Sequence, residues 1–250
     1  MLRSIETVNR NMNVLQKKLE NSGSNITNVN TPGYKFQGIV QSTMEAQEML
    51  NFSGGSKLDE RQDIGNFVFG NQIDLVYKNF EQGILGQTDK RSDFAIAGNG
   101  FFAVEMEDGL GFTRNGNFII NDDNMLTTME GYPVQGVDAF GEMGPIYIYD
   151  ENFQIDNQGN IMNTDVKLFI VDFDDYQALE TVGDTIFVSG AGYNAIDGEI
   201  RQGFLELSNV DVADELVKMI EISREFESNQ KILTSMDETL RQAVNEIGRV

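Results

Sequence analysis

The first thirty residues carry apolar side chains at alternating intervals of three and four positions. The series has one polar member, Ser22, and consists of Ile5, Val8, Met12, Leu15, Leu19, Ser22, Ile26 and Val29. This spacing predicts an amphipathic helix with a seam of the coiled-coil type. Pro32 ends the pattern, because proline lacks a backbone donor and disfavours helical geometry in the residue before it.

A second helical pattern occupies the last forty residues. Apolar residues recur there at every seventh position: Val212, Met219, Phe226, Leu233, Leu240 and Ile247. The companion heptad positions hold Leu216, Ser223, Gln230, Asp237 and Val244, which predicts a seam that is apolar at its ends and polar in its middle. A helix over about residues 210 to 248 would be roughly 58 Å long.

The middle of the chain, residues 88–200, has the pattern of an antiparallel β region. Short apolar or alternating runs predict strands at 94–97, 101–104, 118–120, 146–148 and 166–173. Turn-forming residues separate these runs at 98–100, 115–117, 121–124 and 157–160, and Asn-Gly pairs between apolar runs favour hairpins. Residues 36–87 are mixed, with a short helix predicted at 43–50 and a loop at 51–66.

The predicted fold class is therefore α+β, with long N- and C-terminal coiled-coil helices flanking an all-β, mainly antiparallel central region. We predict three parts. Residues 1–35 and 205–250 form a terminal helical domain, residues 36–87 and 185–204 form a connecting extended region, and residues 88–184 form a central β domain.

The net charge of −22 is concentrated in the middle of the chain. Residues 51–200 contain 7 Lys and Arg against 26 Asp and Glu, whereas residues 1–50 contain 5 against 4 and residues 201–250 contain 6 against 10. An acidic body would repel nucleic acid and anionic lipid, so we expect neither as a partner. The two ends could approach other copies at little electrostatic cost.

The composition excludes several kinds of reaction and binding site. The chain has no His and no Cys, which excludes an imidazole base, a thiolate nucleophile, a disulfide and an ordinary zinc site. The acidic runs at 122–123, 150–151 and 172–175 lack EF-hand spacing, and the glycine-rich run at 97–102 lacks that of a phosphate loop. We expect no catalysis, no cofactor and no metal, and we expect these runs to be turns. The polar-interrupted first sixteen residues predict no cleaved signal peptide, and no run predicts membrane insertion.

An asparagine-rich turn follows the first helix. It reads Asn25-Ile-Thr-Asn28-Val-Asn30-Thr31-Pro32-Gly33-Tyr34-Lys35. This stretch resembles the N-terminal signature of the bacterial flagellar axial proteins, the rod and hook family, which reads A-N-N-[IL]-A-N-x-N-T-P-G-[YF]-K. Thr27 stands where alanine is usual.

Four further blocks are similar to the same family, in the same order. They are Asp93 to Val104, Phe112 to Phe118, Gly131 to Gly136, and a C-terminal block from Leu205 to Asp211 that continues through Glu215, Leu216, Ile220, Arg224, Glu227, Asn229 and Lys231. The length of the chain and the lack of a large central insertion favour a rod protein over the hook protein.

The resemblance implies a structural subunit of the flagellar basal-body rod, the drive shaft that carries motor torque to the hook. It implies helical polymerisation through the terminal helices, with copies of itself and homologous rod and hook subunits as partners. It also implies export by the flagellar type III apparatus and a place in the basal body, in the periplasm or spanning the cell wall. The turn at Asn25, Asn28, Asn30, Thr31, Pro32, Gly33 and Tyr34 would then fix the exit of the chain from the helices.

The expected helical contacts pack one terminal seam against the other, within the same subunit and between neighbouring subunits. They involve Ile5, Val8, Met12, Leu15 and Leu19 with Val212, Leu216, Met219, Phe226, Leu233, Leu240 and Ile247. Two alternatives remain open. The heptads are compatible with an ordinary hairpin within one chain, and the whole chain with a soluble acidic β-domain glycan-binding protein or enzyme.

Overall fold

A computed structural model describes residues 2–53, 60–150, 152–162, 164–190 and 192–247. The fold is α+β: two helices, one near each end of the chain, flank a mostly antiparallel β region. The chain divides into two compact units. Unit 1 contains residues 1–26, 37–77 and 212–250, and unit 2 contains residues 27–36 and 78–211.

Unit 1 contains both helices and four strands. The elements are α1 (Leu2–Thr27), β1 (Gln37–Thr43), β2 (Gln47–Ser53), β3 (Glu60–Phe67), β4 (Asn71–Lys78) and α2 (Val212–Ile247). β1 pairs with β4, and β2 pairs with β3 in an antiparallel ladder. The helix predicted at 43–50 is therefore wrong. The loop predicted at 51–66 is wrong where β2 and β3 run, and its residues 54–59 lie outside the described ones.

Unit 2 is built from short strands and one 3₁₀ turn at Tyr176–Ala178. The strands are β5 (Leu85–Gln87), β6 (Phe94–Ala97), β7 (Phe101–Met106), β8 (Gly109–Thr113), β9 (Ile119–Ile120), β10 (Leu126–Thr127), β11 (Gln135–Asp138), β12 (Met143–Pro145), β13 (Val166–Leu168), β14 (Ile170–Asp172), β15 (Leu179–Val182), β16 (Ile186–Ser189), β17 (Asn194–Ala195), β18 (Glu199–Gln202) and β19 (Phe204–Glu206).

The largest sheet of unit 2 has the strand order β15-β16-β8-β7-β14-β17, and every neighbouring pair in it is antiparallel. A smaller sheet has the order β12-β11-β13, and three two-stranded ladders join β9 to β10, β6 to β18 and β5 to β19. The hairpin predicted across Gly98-Asn99-Gly100 is wrong, because β6 and β7 on its two sides pair with other strands.

Strand β7 explains the run of apolar residues Phe101-Phe102-Ala103-Val104. Alternate side chains of a strand point to opposite faces. Phe101 and Ala103 accordingly belong to one hydrophobic core cluster, while Phe102 and Val104 belong to another. All four side chains have 0% exposure, so β7 is buried on both faces and separates the two clusters of unit 2.

Candidate functional site

The asparagine-rich turn has a conformation that its sequence dictates. Tyr34 donates its backbone N–H to the carbonyl of Thr31, and Gly33 has a φ of 71°. Proline at the second position and glycine at the third position, with positive φ, define a type II turn. A Cβ on Gly33 would lie 2.3 Å from the backbone nitrogen of Asn115, so the turn packs too closely on its neighbours in unit 2 for any other residue.

A buried ion pair follows the turn. The Nζ of Lys35 lies 2.6 Å from an oxygen of Glu206, and both side chains are only 1% exposed. Lys35 also donates to the carbonyl of Glu81 at 2.8 Å. Burial lowers the pKa of Lys35, and the attraction of the Glu206 carboxylate opposes that effect. The pair joins residues 171 positions apart in sequence.

Arg114 is the third charged member of this cluster. Its Nη1 lies 3.4 Å from the other carboxylate oxygen of Glu206 and donates to the carbonyl of Gly98 at 2.7 Å. Its guanidinium lies 5.1 Å from the ring centroid of Phe101. Burial lowers the pKa of Arg114, against the attraction of Glu206. One carboxylate therefore compensates two buried cations.

Backbone bonds fasten the same two segments together. Gly33 donates its N–H to the carbonyl of Glu206 at 2.8 Å, and Phe36 donates to Oδ1 of Asn209 at 2.7 Å. The amide of Asn209 donates in turn to the carbonyls of Asn79 and Glu81. We call Gly33, Lys35, Phe36, Glu206 and Asn209 the strand clasp, because together they join segment 27–36 of unit 2 to the end of segment 78–211.

Asn25 plays a corresponding role inside unit 1. It is fully buried, and its Oδ1 accepts the N–H of Gln37 at 3.1 Å. Its Nδ2 donates to the carbonyl of Gln37 at 2.8 Å and to Glu215 at 3.2 Å. Glu215 is itself only 2% exposed and accepts a bond from Lys218. Asn25 thus ties α1 to β1 and to α2.

The two helices of unit 1 run antiparallel. Asn11 on α1 donates to Glu225 on α2, and Asn25 further along α1 donates to Glu215 earlier on α2. Of the five seam residues predicted on α1, Leu15 is 1% exposed, while Ile5, Val8, Met12 and Leu19 are half-buried.

The predicted seam residues of α2 differ in exposure. Met219, Phe226, Leu233 and Leu240 are half-buried, whereas Val212 and Leu216 are 36% and 48% exposed. The side chain of Ile247 lies outside the described ones. Apart from Ser223, the less exposed positions of α2 follow one another at alternating steps of three and four: Glu215, Met219, Ile222, Phe226, Asn229, Leu233, Met236, Leu240 and Ala243.

In the single chain, the less exposed companion positions of α2 lie one residue before those predicted from the sequence. Ile222 and Met236, rather than Ser223 and Asp237, share the stripe with the predicted residues, so its middle is more apolar than expected. Val244, which the sequence placed in the seam, is 68% exposed. We call these nine less exposed positions the α2 stripe.

The signature turn is only partly buried. Gly33 and Tyr34 are buried, Asn28, Thr31 and Pro32 are half-buried, and Asn30 is exposed. Asn28 accepts a bond from the hydroxyl of Thr31 at 3.0 Å. Sequence reasoning missed the cluster of Lys35, Arg114, Glu206 and Asn209 in unit 2 and, separately, Glu215 as the partner of Asn25 in unit 1. All five lie within the blocks that resemble the axial family, which was the available signal.

Two family profiles match the chain. The profile described as "Flagellar basal body rod FlgEFG protein C-terminal" matches residues 201–246, and "Flagellar hook protein FlgE/F/G D1 domain" matches residues 95–163. The chain is 31% identical to the flagellar basal-body rod protein FlgG of Bacillus subtilis, over 98% of this chain and 99% of the relative. The chain belongs to the flagellar basal-body rod protein family.

Other members of the rod family align over similar lengths. The flagellar basal-body rod protein FlgF of Caulobacter vibrioides is 32% identical over 94% of each chain. The hook-basal body complex protein FlhO of Bacillus subtilis is 30% identical over the whole of both chains. The C-terminal profile spans Glu206, Asn209 and Glu215, so the partners of Lys35 and Asn25 lie in a segment typical of the rod family.

Two observations on the described residues concern membrane insertion and metal binding. None of the described helices is both long enough and apolar enough to cross a membrane. In the part of the chain that the structure describes, no group of three or more Asp and Glu residues is arranged so that it could hold a metal ion. The predicted acidic runs lie largely in exposed turns, such as Asp122 and Asp123.

Proposed function

We propose that this chain is a structural subunit of the flagellar basal-body rod. It polymerises helically through its terminal helices, forms part of the drive shaft that carries motor torque to the hook, and performs no catalysis. Copies of itself and homologous rod and hook subunits are its partners. Full-length similarity to rod proteins of several bacteria supports this role.

The observation that carries the proposal is the length of α2 compared with α1. Asn11 lies opposite Glu225, so in an antiparallel pair Leu2 falls opposite about residue 234. The last 13 or so residues of α2 extend beyond that point by about 20 Å. Met236, Leu240 and Ala243 of the α2 stripe lie in this extension, beyond the reach of α1, and in the proposed rod they pack against another subunit.

In the assembled rod, the seam residues named from the sequence pack against one another as a coiled coil, within each subunit and between neighbouring subunits. Val212 and Leu216 are exposed in the single chain and are free for such contacts. Residues 1–35 and 205–250 form the inner helical domain of the tube, residues 36–87 with 185–204 connect it outward, and residues 88–184 face outward. Head-to-tail contacts of this kind make an open helix when their rotation does not close into a ring.

The route to the basal body completes the proposal. The chain leaves the cell unfolded through the flagellar type III apparatus and is not inserted into the membrane. The absence of cysteine from the sequence is compatible with that route, because no disulfide has to be avoided or formed on the way.

Replacement of Phe226 by alanine tests the proposal. Truncation of a buried aromatic residue costs roughly 3–5 kcal/mol, and the loss recurs at every subunit of a polymer. We expect Phe226→Ala to abolish rods under the electron microscope and motility in cells. Thr234→Ala, which alters an exposed side chain of the same helix, should leave both intact. Normal rods with Phe226→Ala would refute the assignment.

Deletion of the gene is the complementary test. We expect the flagellum of the deletion strain to stop at the rod, with no hook and no filament attached. The rival interpretation, a glycan-binding protein or enzyme with a closed helical hairpin, requires complete flagella in that strain and discrete particles at high protein concentration.

A further inference from the structure

A cavity of about 330 Å³ lies in unit 2, beside the loop that connects β5 to β6. It is lined by residues 87–91, 154–155 and 202–204, and we call it the Lys90 cavity. The cavity is open to solvent. Its volume is at the lower end of the range for small-molecule sites, about 300–1,000 Å³. The Lys90 cavity therefore has room for one small ligand.

Hydrogen bonds fix the walls of the Lys90 cavity. The side-chain amide of Gln202 donates to the carbonyl of Arg91 at 2.8 Å and to that of Phe153 at 3.2 Å. The oxygen of the same amide accepts the N–H of Ile155 at 3.1 Å. Arg91 donates to the carbonyl of Asn152 at 2.8 Å. Three separate segments of unit 2 are thus joined before any ligand arrives, which reduces the conformational entropy lost on binding.

The charge of the lining is opposite to that of its surroundings. Residues 51–200 contain only 7 Lys and Arg against 26 Asp and Glu, yet two of the seven, Lys90 and Arg91, line this cavity. Asp89 supplies the one carboxylate of the described lining, so two cations against one anion give it a net charge of +1. Among the described residues, no carboxylate forms an ion pair with Lys90 or Arg91. The lining therefore favours a ligand with an anionic group.

The uncharged part of the lining favours hydroxyl groups and a ring. Gln87 and Gln154 are exposed, and neither side-chain amide has a hydrogen-bond partner among the described residues. An amide both donates and accepts, as a sugar hydroxyl does, whereas a carboxylate ion only accepts and would use only the amide N–H groups. Half-buried Ile155 and Phe204 add apolar surface, which suits the C–H groups of a sugar ring.

We propose that the Lys90 cavity binds a sugar unit that carries a carboxylate. Lys90 and Arg91 hold the carboxylate, since the guanidinium has five N–H donors and only one described bond. Gln87 and Gln154 bond to the hydroxyls of the ring. The source of such a sugar rests on the proposed function, because a rod in the cell wall is surrounded by wall glycans, but the site itself does not.

The net charge of the chain makes this proposal easy to distinguish from non-specific binding. A chain with a charge of −22 repels acidic sugars, so saturable binding of one requires a local basic site. The same repulsion predicts a weak affinity for a single sugar, in the millimolar range.

Nuclear magnetic resonance of the isotope-labelled full chain, kept below the concentration at which it polymerises, tests the class of ligand. The probes are glucuronic acid and glucose, which differ at one carbon, where a carboxylate replaces an alcohol. We expect glucuronic acid to shift the amide signals of residues 87–91, 154–155 and 202–204 saturably, with an affinity at least about ten-fold above that of glucose. Equal affinities, or inorganic phosphate binding as tightly as glucuronic acid, would overturn the proposal.

Lys90→Gln tests the role of the cation. Lys90 is exposed and has no ion pair among the described residues, so the variant should fold as wild type does. We expect it to bind glucuronic acid at least about ten-fold more weakly. Lys167→Gln is the matched control, because it removes the same charge from unit 2 outside the cavity and should leave the affinity unchanged.

Equal weakening in the two variants would show that only the net charge matters, and would overturn the proposal. An unchanged affinity in Lys90→Gln would overturn it as well. Both results leave the proposed rod role unaffected, because the titrations use the unpolymerised chain, whereas the tests of that role measure rods and flagella.

Discussion

At the scale of single residues, the strand clasp and Arg114 concentrate the electrostatics of unit 2 at Glu206. The carboxylate of Glu206 is the counter-ion of both buried cations. Because water cannot reach the cluster, nothing would replace that carboxylate if it were removed. Removal of one partner from a buried ion pair is far more harmful than the net value of the pair, since it leaves an uncompensated charge behind.

We expect Glu206→Gln to lower the free energy of unfolding by about 3–5 kcal/mol. Lys35→Met should cost less, because Glu206 keeps Arg114 as a partner. Urea unfolding measures both effects. The control is Glu199→Gln, whose ion pair with Arg201 is about half exposed and should matter by less than about 0.5 kcal/mol. An equal loss of unfolding free energy in Glu206→Gln and Glu199→Gln would contradict the claim that Glu206 compensates a buried charge cluster.

We expect Lys78 to make the stability of unit 2 depend on pH. Its Nζ lies 4.8 Å from the ring centroid of Phe187 and donates to the hydroxyl of Thr181. Burial lowers the pKa of Lys78 from 10.5 to about 8, although the charge of Asp184 opposes the shift. Between these two values the unfolded chain binds more protons than the folded chain, so stability should rise with pH.

The test compares wild type with Lys78→Met across that interval. We expect the free energy of unfolding of wild type, minus that of the variant, to increase as pH rises from about 8 to about 10.5. Below about 8 this difference should be constant. Denaturant unfolding at several pH values measures it. A difference that stayed flat through the interval, or fell, would show that Lys78 keeps an ordinary pKa.

Residue-level features were the least predictable from sequence. Lys35 and Glu206 were both visible in blocks that resemble the rod family, yet nothing in their local sequence joins two positions 171 apart. The turn at Pro32-Gly33 was predictable, because its geometry depends only on the φ preferences of neighbouring residues. Contacts between distant segments depend on the fold, and they became visible only with it.

At the scale of elements, the strongest periodicities gave the most reliable predictions. Both helices are present close to the expected bounds, because an apolar repeat of three and four positions that persists over many turns suits a helix and does not suit a strand. The register within α2 was less well determined. Leu216 and Val244 matched one heptad position by residue type, whereas the structure places Ile222 and Met236 on the less exposed face.

The difference between Ile222 and Ile220 makes this register testable. Ile222 belongs to the α2 stripe, while Ile220, two residues earlier, is 54% exposed. We expect Ile222→Ser to lower the free energy of unfolding by about 1–2 kcal/mol, because it removes part of a buried side chain. Ile220→Ser changes helix propensity equally and should cost clearly less. Circular dichroism at increasing urea measures both, and the reverse order would contradict the assigned stripe.

Amide exchange along α2 should report where its partner helix ends. Residues near Glu215 and Glu225 bond to α1, whereas those beyond about 234 extend past it. In the monomer we expect the amides beyond that point to exchange much faster than those of the first half, and to become protected in polymer. Uniform protection along the monomer's helix would contradict an unpartnered extension.

For the short strands, the sequence predicted the turns better than it predicted which strands pair. Asn and Gly residues at 98–100 mark a real change of direction, but they connect strands of different sheets. A true hairpin, β7 to β8, turns at Glu107-Asp108, and the Asp108-Gly109 pair there is a hairpin signal that the sequence prediction did not use. Local composition identifies where the chain turns, whereas the choice of pairing partner depends on burial on both faces of β7.

At the scale of the whole molecule, the uneven charge predicts how assembly responds to salt. Residues 51–200 carry 7 basic against 26 acidic residues, so neighbouring copies repel through this region while the ends contribute little. Screening shortens the reach of that repulsion from about 10 Å at 0.1 M salt to about 3 Å at 1 M.

We therefore expect the critical concentration for polymerisation to fall as sodium chloride is raised. Sedimentation of polymer across a salt series measures it, with a neutral osmolyte at matched osmolality as the control for solvent effects. A critical concentration that rose with salt would indicate that contacts between subunits are mainly ionic, and would contradict apolar seams as the main attraction.

The strand clasp also bears on how unit 2 would carry a mechanical load in the proposed rod. Its bonds from Gly33 to Glu206 and from Phe36 to Asn209 join segment 27–36 directly to the end of segment 78–211. We expect a pull applied to these two segments to load the clasp before the strands that lie between them in the chain. Insertions in the interior of unit 2 should then leave the connection between the two segments intact.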